Sequence, residues 1–292
     1  MLVGRCSEAA PQGGDRRAAL AWRKYRRGEK DEKDFEVNLT VVGTGTASLR
    51  LRRRQSCVVV ETGAETLVFD LGFRAVGGMR RAGIHPLGVD RVFFTHFHGD
   101  HTVDVVPFLF WRRFGAGDAG RATPLRTFSV SGPEPFLRFW RWRSRSWGRW
   151  LLGGYPAEIS ELPRGRGGSL QLAGCALTWA PSDHRPESIA YRLDSDRGSF
   201  VYTGDTGYAR SVVELARGAD TILIDCTFPD DRPFPGHLTP TGVARIASEA
   251  DVGRVILTHI SPQAERLDLV SEVARGYAGE VIVAEDGLRL DV

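Results

Sequence analysis

Apolar residues along the chain fall into short β-branched runs, separated by Gly, Pro and polar clusters. The stretch FEVNLTVVGTG, from Phe35, predicts a strand running into a glycine turn, and SCVVVETG and TLVFDLG predict a hairpin after it. AVGGMRRAG predicts a helix, RVFFTHFHGDH a buried strand, and TVDVVPFLFWRRF a helix with Pro107 in its early turns. A second set follows. LRTFSVSGP predicts a strand and turn, PFLRFWRWRSRSWGRWLL a helix and its continuation, and SLQLAGCALTWAPSDH a strand pair. SIAYRLDSDRGSFVYTGDTG predicts a hairpin, and ADTILIDCTF, GRVILTHISP and GEVIVAEDGLRLDV are strand runs with helices before each. Strands in runs with helices between them imply two sheets packed face to face with helices outside, over residues 35–292. Residues 1–34 are polar, basic and charge-dense, and predict a loosely ordered extension with a short helix around Ala18 to Tyr25.

Composition narrows the class without deciding it. A chain of 292 residues with 42% hydrophobic residues is ample for a buried core. A net charge of +3 gives no charge-driven argument for nucleic acid. Cys6, Cys57, Cys175 and Cys226 are scattered with no CxxC pair, which argues against a disulfide framework or a thiolate zinc site. No run reads as a membrane span, and the N-terminal segment lacks the apolar core of a signal peptide, so the expected location is cytoplasmic.

The chemistry gathers at strand ends. Thr95-His96, Asp183-His184, Gly204-Asp205 and Thr258-His259 each follow an apolar run. Such ends, collected at one edge of a sandwich, place their side chains around one point. His and Asp together suit zinc, manganese or iron. In HFHGDH the alternation of an extended chain puts His96 and His98 on one side, and the turn at Gly99 redirects Asp100 and His101. Two metals then fit: one with His96, His98 and His184, the other with Asp100, His101 and His259. Asp205 bridges both, and a shared hydroxide serves as nucleophile. A lone histidine is usually a core or surface residue; five of the chain's seven histidines in this pattern are poorly explained that way.

This arrangement (HxHxDH, a later His, the Asp of a TGD and a final His) resembles the metallo-β-lactamase superfamily, over about residues 35–292. VVGTGTASLRLRRRQSC, VYTGDTG and GHLTPTGVARIASEADVGRVILTHISP are similar to segments of its ribonuclease Z-like branch. The resemblance implies a four-layer αββα sandwich with the metals at one edge. It implies two Zn2+ per chain, with Mn2+ or Fe as alternatives, held by His96, His98, Asp100, His101, His184, Asp205 and His259. It also implies that Asp100 orients the hydroxide, that His237 of GHLTP is the general acid, and that Asp225 of LIDCTF is its carboxylate partner. His85 lacks such a context and reads as structural or exposed. The tRNA-processing members carry a long arm, which in the bacterial form lies between the third motif and the bridging Asp. Here only a short hairpin separates His184 from Asp205, and Arg54-Gln55 stands where the family has an Asn after its arginine.

Two basic stretches remain. Arg52, Arg53 and Arg54, near the expected metal edge, are candidates to hold a phosphate, with a solvated loop as the alternative. RFWRWRSRSWGRW, with Trp140, Trp142, Trp147 and Trp150, suits core packing or self-association, including a homodimer, better than nucleic-acid contact. The expectation is a dinuclear zinc hydrolase, a phosphodiesterase or endoribonuclease acting on RNA or a nucleotide. A hydrolase of lactones, thioesters or sulfate esters is the alternative. His98, where oxygen-reducing diiron members carry Glu, argues against that class. The full ligand set argues against a metal-stabilised binding module.

Overall fold

The period-2 alternation of the β-branched runs sorts each strand's side chains between two layers of core. In β2 (Cys57–Glu61) Val58 and Val60 face one core, while Cys57 and Val59 face another. The computed structural model describes residues 37–114, 127–142, 157–165 and 167–292. The predicted boundary at residue 35, the helix around Ala18 to Tyr25, Cys6, Trp147 and Trp150 lie outside them.

β1 (Asn38–Gly43), β2 and β3 (Thr66–Phe69) form an antiparallel meander. β4 (Arg91–Phe93), β5 (Phe128–Pro133) and β6 (Ala157–Leu162) extend it in parallel. In the second sheet β7 (Gly168–Leu172), β8 (Cys175–Pro181), β9 (Ile189–Ser195) and β10 (Ser199–Tyr202) are antiparallel. β11 (Thr221–Asp225), β12 (Arg254–Thr258) and β13 (Glu280–Val283) run parallel to β10. β14 (Leu288–Asp291) returns to the first sheet and pairs with β1. The two orders are β14-β1-β2-β3-β4-β5-β6 and β13-β12-β11-β10-β9-β8-β7.

The parallel halves need cover on both faces, and helices supply it. α1 (Ala75–Arg81) and α3 (Val105–Phe114) place Met79, Phe108 and Leu109 on Val68, Val92 and Val130 of the first sheet. The short α2 (Gly99–Thr102) lies between them in the chain. α4 (Arg210–Ala216), α5 (Pro240–Ala250) and α6 (Leu269–Ala274) place Val212, Ile246 and Val273 against Ile222, Ile224 and Val255 of the second. Between the sheets Leu39, Leu67, Phe69 and Phe93 meet Leu177, Tyr191, Tyr202 and Ile256. The layers are therefore α, β, β, α, as expected.

The differences from the sequence pattern are local. GEVIVAEDGLRLDV reads as one strand but splits into β13 and β14, in different sheets, with Gly287 at φ 95° in the turn before β14. β6 was not anticipated: it is an edge strand with alternating half-exposed residues, so its apolar signal is weak. Trp140 is buried against Phe136, at 5.7 Å between rings, whereas Trp142 is exposed. Cys57, Cys175 and Cys226 are buried free thiols. Among the described residues no helix is long and apolar enough to cross a membrane.

Phe69 ties the sheets together: its ring lies 5.5 Å from Phe93 within its own sheet and 5.3 Å from Tyr191 across the interface. Phe69→Ala is expected to cost about 3–5 kcal/mol, through lost burial and a cavity. Leu51→Ala, at an exposed position, should stay within about 0.5 kcal/mol of wild type. Denaturant unfolding of both variants checks this.

Candidate active site

The C-terminal ends of β3, β4, β8, β10, β11 and β12 open on one edge of the sandwich. They deliver Asp70, the His96–His101 segment, His184, Asp205, Asp225 and His259 in turn. The backbone is forced there. Asp70 and His259 adopt left-handed φ values of 61° and 55°, which non-glycine residues rarely hold. Gly204, at φ 56°, precedes Asp205, and a Cβ there would lie 2.7 Å from Thr95 Cβ. Only glycine lets the β10 turn lie against Thr95.

Asp205 is buried at the centre and faces two groups of donors. Oδ2 lies 3.7 Å from His96 Nε2 and 3.7 Å from His184 Nε2. Oδ1 lies 3.1 Å from His101 Nε2 and 3.4 Å from His259 Nε2. His98 Nδ1 joins the first group, 3.1 Å from His184 Nε2, and Asp100 Oδ2 joins the second, 3.4 Å from His259 Nε2. His96, His98, His184 and Asp205 thus form one set of converging donor atoms, and Asp100, His101 and His259 another.

The hydrogen bonds behind the rings decide what each ring presents. Thr95 donates its hydroxyl proton to Asp70 Oδ2 at 2.9 Å, so it accepts from His96 Nδ1 at 3.0 Å. Thr227 donates to Asp225 Oδ1 at 2.6 Å and accepts from His259 Nδ1 at 2.7 Å. His101 Nδ1 donates to Asp70 Oδ2 at 2.7 Å, and His184 Nδ1 to the Gly236 carbonyl at 2.9 Å. In four rings Nδ1 therefore carries a proton and Nε2 is the end turned to the cluster, able to offer a lone pair when the ring is neutral. His96 Nε2, His101 Nε2 and Asp205 Oδ1 are buried with no hydrogen-bond partner, a costly state unless something else satisfies them. Cations held in the two donor sets would satisfy all three, so the residues fit a metal.

Charge agrees. Burial opposes ionisation of Asp205, but His101 and His259 outweigh it and hold its carboxyl well below the usual range. Asp100 is brought down to about 2: burial works against the shift and is overcome by the hydrogen bond from His259. Burial, then His101, pushes His96 toward the neutral form a metal ligand needs.

His237 is placed differently. Its Nδ1 donates to Asp225 Oδ2 at 2.8 Å, and its ring stacks parallel on His259 at 5.4 Å. Asp225 also accepts from Thr206 N at 3.2 Å, and from Thr227 N at 2.9 Å besides the Thr227 hydroxyl. Both its oxygens are engaged by protein donors; Asp225 and His237 also converge with Asp205 and His259 as a third set of donor atoms.

A family model for the metallo-beta-lactamase superfamily matches residues 50–259. The chain belongs to that superfamily. An uncharacterized protein of Mycobacterium leprae is 30% identical over 233 residues, 77% of this chain and 78% of the relative. Ribonuclease Z of Nocardia farcinica is 29% identical over 302 residues, covering 85% of this chain and 95% of the relative. Among solved structures, a metallo-beta-lactamase fold protein of Bacillus subtilis, YhfI, superposes with a TM-score of 0.76 at 21% identity, covering 88% of this chain and 100% of the other. Membership makes this chain a superfamily hydrolase with ribonuclease Z-like relatives and implies divalent metal at the His/Asp clusters.

The structure brings His96, His98, Asp100, His101, His184, Asp205 and His259 together, with Asp225 and His237 beside them. It treats the arginines otherwise. Arg53 donates to Thr44 Oγ1 and the Ala284 carbonyl and pairs with Glu265 at 3.0 Å. Arg54 donates to the Val42 carbonyl and lies 3.3 Å from Asp286. Those guanidinium groups serve the protein's own acceptors, which speaks against the phosphate role expected of them; only Arg52 is exposed. The exposed Arg185, next to His184 in sequence, helps lower the His98 pKa behind the larger effects of burial and His101. His85 is structural: it accepts from Leu87 N and meets Trp111 edge-on at 4.7 Å.

Sequence reasoning missed the residues behind the rings. Asp70 is fully buried and accepts from Thr95 N, Thr95 Oγ1, Tyr202 OH and His101 Nδ1. Its signal was present in TLVFDLG, an Asp at a strand end like Asp205 and Asp225. Thr227 had no such signal. Asp70→Asn preserves shape but loses the charge that fixes His101, and should weaken zinc binding about 10–100-fold. Competition with a chromogenic chelator measures it.

Proposed function

We propose that the chain is a dinuclear zinc phosphodiesterase acting on RNA or a nucleotide. The observation that carries the reading is the Asp225–His237 pair, 2.8 Å apart, beside the His/Asp cluster. His96, His98 and His184 would hold one ion, Asp100, His101 and His259 the other, with Asp205 shared. Bound there, the ions would polarise a phosphoryl oxygen and lower the pKa of the attacking water.

The chain's own groups do the rest. A departing ribose oxygen is a poor leaving group and needs a proton. His237, with Nδ1 anchored on Asp225, has Nε2 as its remaining end to carry a proton to the leaving oxygen. Asp100 orients the attacking oxygen. Arg185 supplies positive charge at the mouth, which suits a phosphodiester better than a neutral lactone. The hairpin between His184 and Asp205 closes tightly, with Ser195 N donating to the Gly198 carbonyl at 3.0 Å, so a tRNA-gripping arm has no place there. Small diesters or short RNA fit this site better than full-length pre-tRNA.

A panel of bis-p-nitrophenyl phosphate, a lactone, an aryl sulfate and a pre-tRNA with a 3′ trailer, with zinc- and manganese-loaded protein, tests the substrate class. Hydrolysis of the phosphodiester with little pre-tRNA cleavage is expected; activity on the lactone alone would overturn the reading. Elemental analysis should find two ions per chain, and fewer after Asp205→Ala.

His237→Ala should retain its metal and lose about 10²–10⁴-fold in rate on a substrate with a ribose-oxygen leaving group. The loss should shrink with p-nitrophenolate, which departs without a proton. Equal loss for both leaving groups would reject the acid role.

A further inference from the structure

The β11–α5 loop carries an exposed aromatic ring beside the cluster that none of the chemistry above uses. Phe234 is 58% exposed. Its ring centre lies 6.2 Å from that of His237 and 5.6 Å from that of Phe228. Phe228 lies 5.6 Å from His237. An aromatic shelf thus runs from solvent inward through Phe234 and Phe228 to His237, and from there through the parallel stack onto His259.

The shelf is held rigidly. Pro233 and Pro235 flank Phe234, and each fixes its own φ. The Phe234 carbonyl accepts from His237 N at 3.2 Å, and Phe228 N donates to the Leu238 carbonyl at 3.3 Å. The next turn is pinned to the cluster itself: Gly236, at φ 81°, gives its carbonyl to His184 Nδ1, and a Cβ there would sit 2.9 Å from that nitrogen. An aromatic ring presented to water on such a loop loses little conformational entropy when a flat partner covers it.

We infer that Phe234 is a stacking platform for a nucleobase, and so a specificity-determining residue for nucleoside-bearing phosphodiesters. The inference rests on the phosphodiesterase reading. Every base offers a π-face, so an aromatic platform accepts bases without demanding a sequence. The base concerned is on the nucleoside whose phosphate lies at the cluster. An apolar acyl group is the competing occupant, and it would respond to hydrophobic area rather than to a flat ring.

The test compares binding of adenosine 5′-monophosphate and ribose 5-phosphate by calorimetry, on zinc-loaded wild type and on Phe234→Ala, Phe234→Leu and Phe234→Trp. These two ligands share the phosphate and ribose and differ in the base. Wild type and the Trp variant should prefer the nucleotide by roughly ten-fold or more, the usual effect of one stacked base. The Ala and Leu variants should lose that preference while binding ribose 5-phosphate as before. In turnover of a dinucleotide the Ala variant should raise KM with little change in kcat, because the backbone carbonyl that holds His237 remains. Equal binding of the two ligands by wild type, or a preference that survives in the Ala variant, overturns the inference. A preference kept by Leu and lost only by Ala overturns it in favour of an apolar subsite. Hydrolysis of bis-p-nitrophenyl phosphate is scored separately, so failure of the base preference is distinguishable from failure of the phosphodiesterase reading.

Discussion

Asp205 is the constraint around which the site is organised. A carboxylate buried from water is costly, and this one faces the Nε2 atoms of His96, His101, His184 and His259. Its two oxygens are divided between the two groups of donors, so the side chain cannot rotate without abandoning both. The strand ends must meet there for the charge to be tolerated. Gly204 allows the approach of β10 to Thr95, and the left-handed backbones at Asp70 and His259 complete it.

Two carboxylates behind the rings hold imidazoles in place. Asp70 and Asp225 each grip an imidazole Nδ1, at 2.7 and 2.8 Å. The His101 ring is buried, with Nε2 close to Asp205. His237 keeps 11% of its side chain exposed. The same pairing fixes a ring in both places, and the difference lies in what the far nitrogen meets.

The layers were legible because β-branched runs alternate between two cores, as the valines of β2 do. The ligand-type residues were legible because His and Asp at the ends of apolar runs have little structural excuse. What escaped had weaker marks. β6 is half-exposed along its length, and the crossing between β13 and β14 depends on pairing partners that no local pattern names. Thr95 and Thr227 resemble any other threonine until their hydroxyls are seen passing one proton on and accepting another. The arginines misled because basic clusters look alike in sequence; Arg53 and Arg54 turned to carbonyl and carboxylate groups of the chain itself.

The pairing of β14 with β1 has a consequence for how the molecule is made. Thr40 lies opposite Arg289, so strands almost a whole chain apart share one ladder. During synthesis β1 emerges early, yet its outer edge stays unpaired until residues 288–291 are available. An open edge is a template for pairing with another chain. Contacts at such sequence distance also slow folding. The nascent protein therefore spends much of its synthesis with one edge of its first sheet, one strand of seven, unfinished. The ring contributed by β12 arrives only shortly before that edge is closed, so completion of the fold and completion of the cluster are nearly the same event.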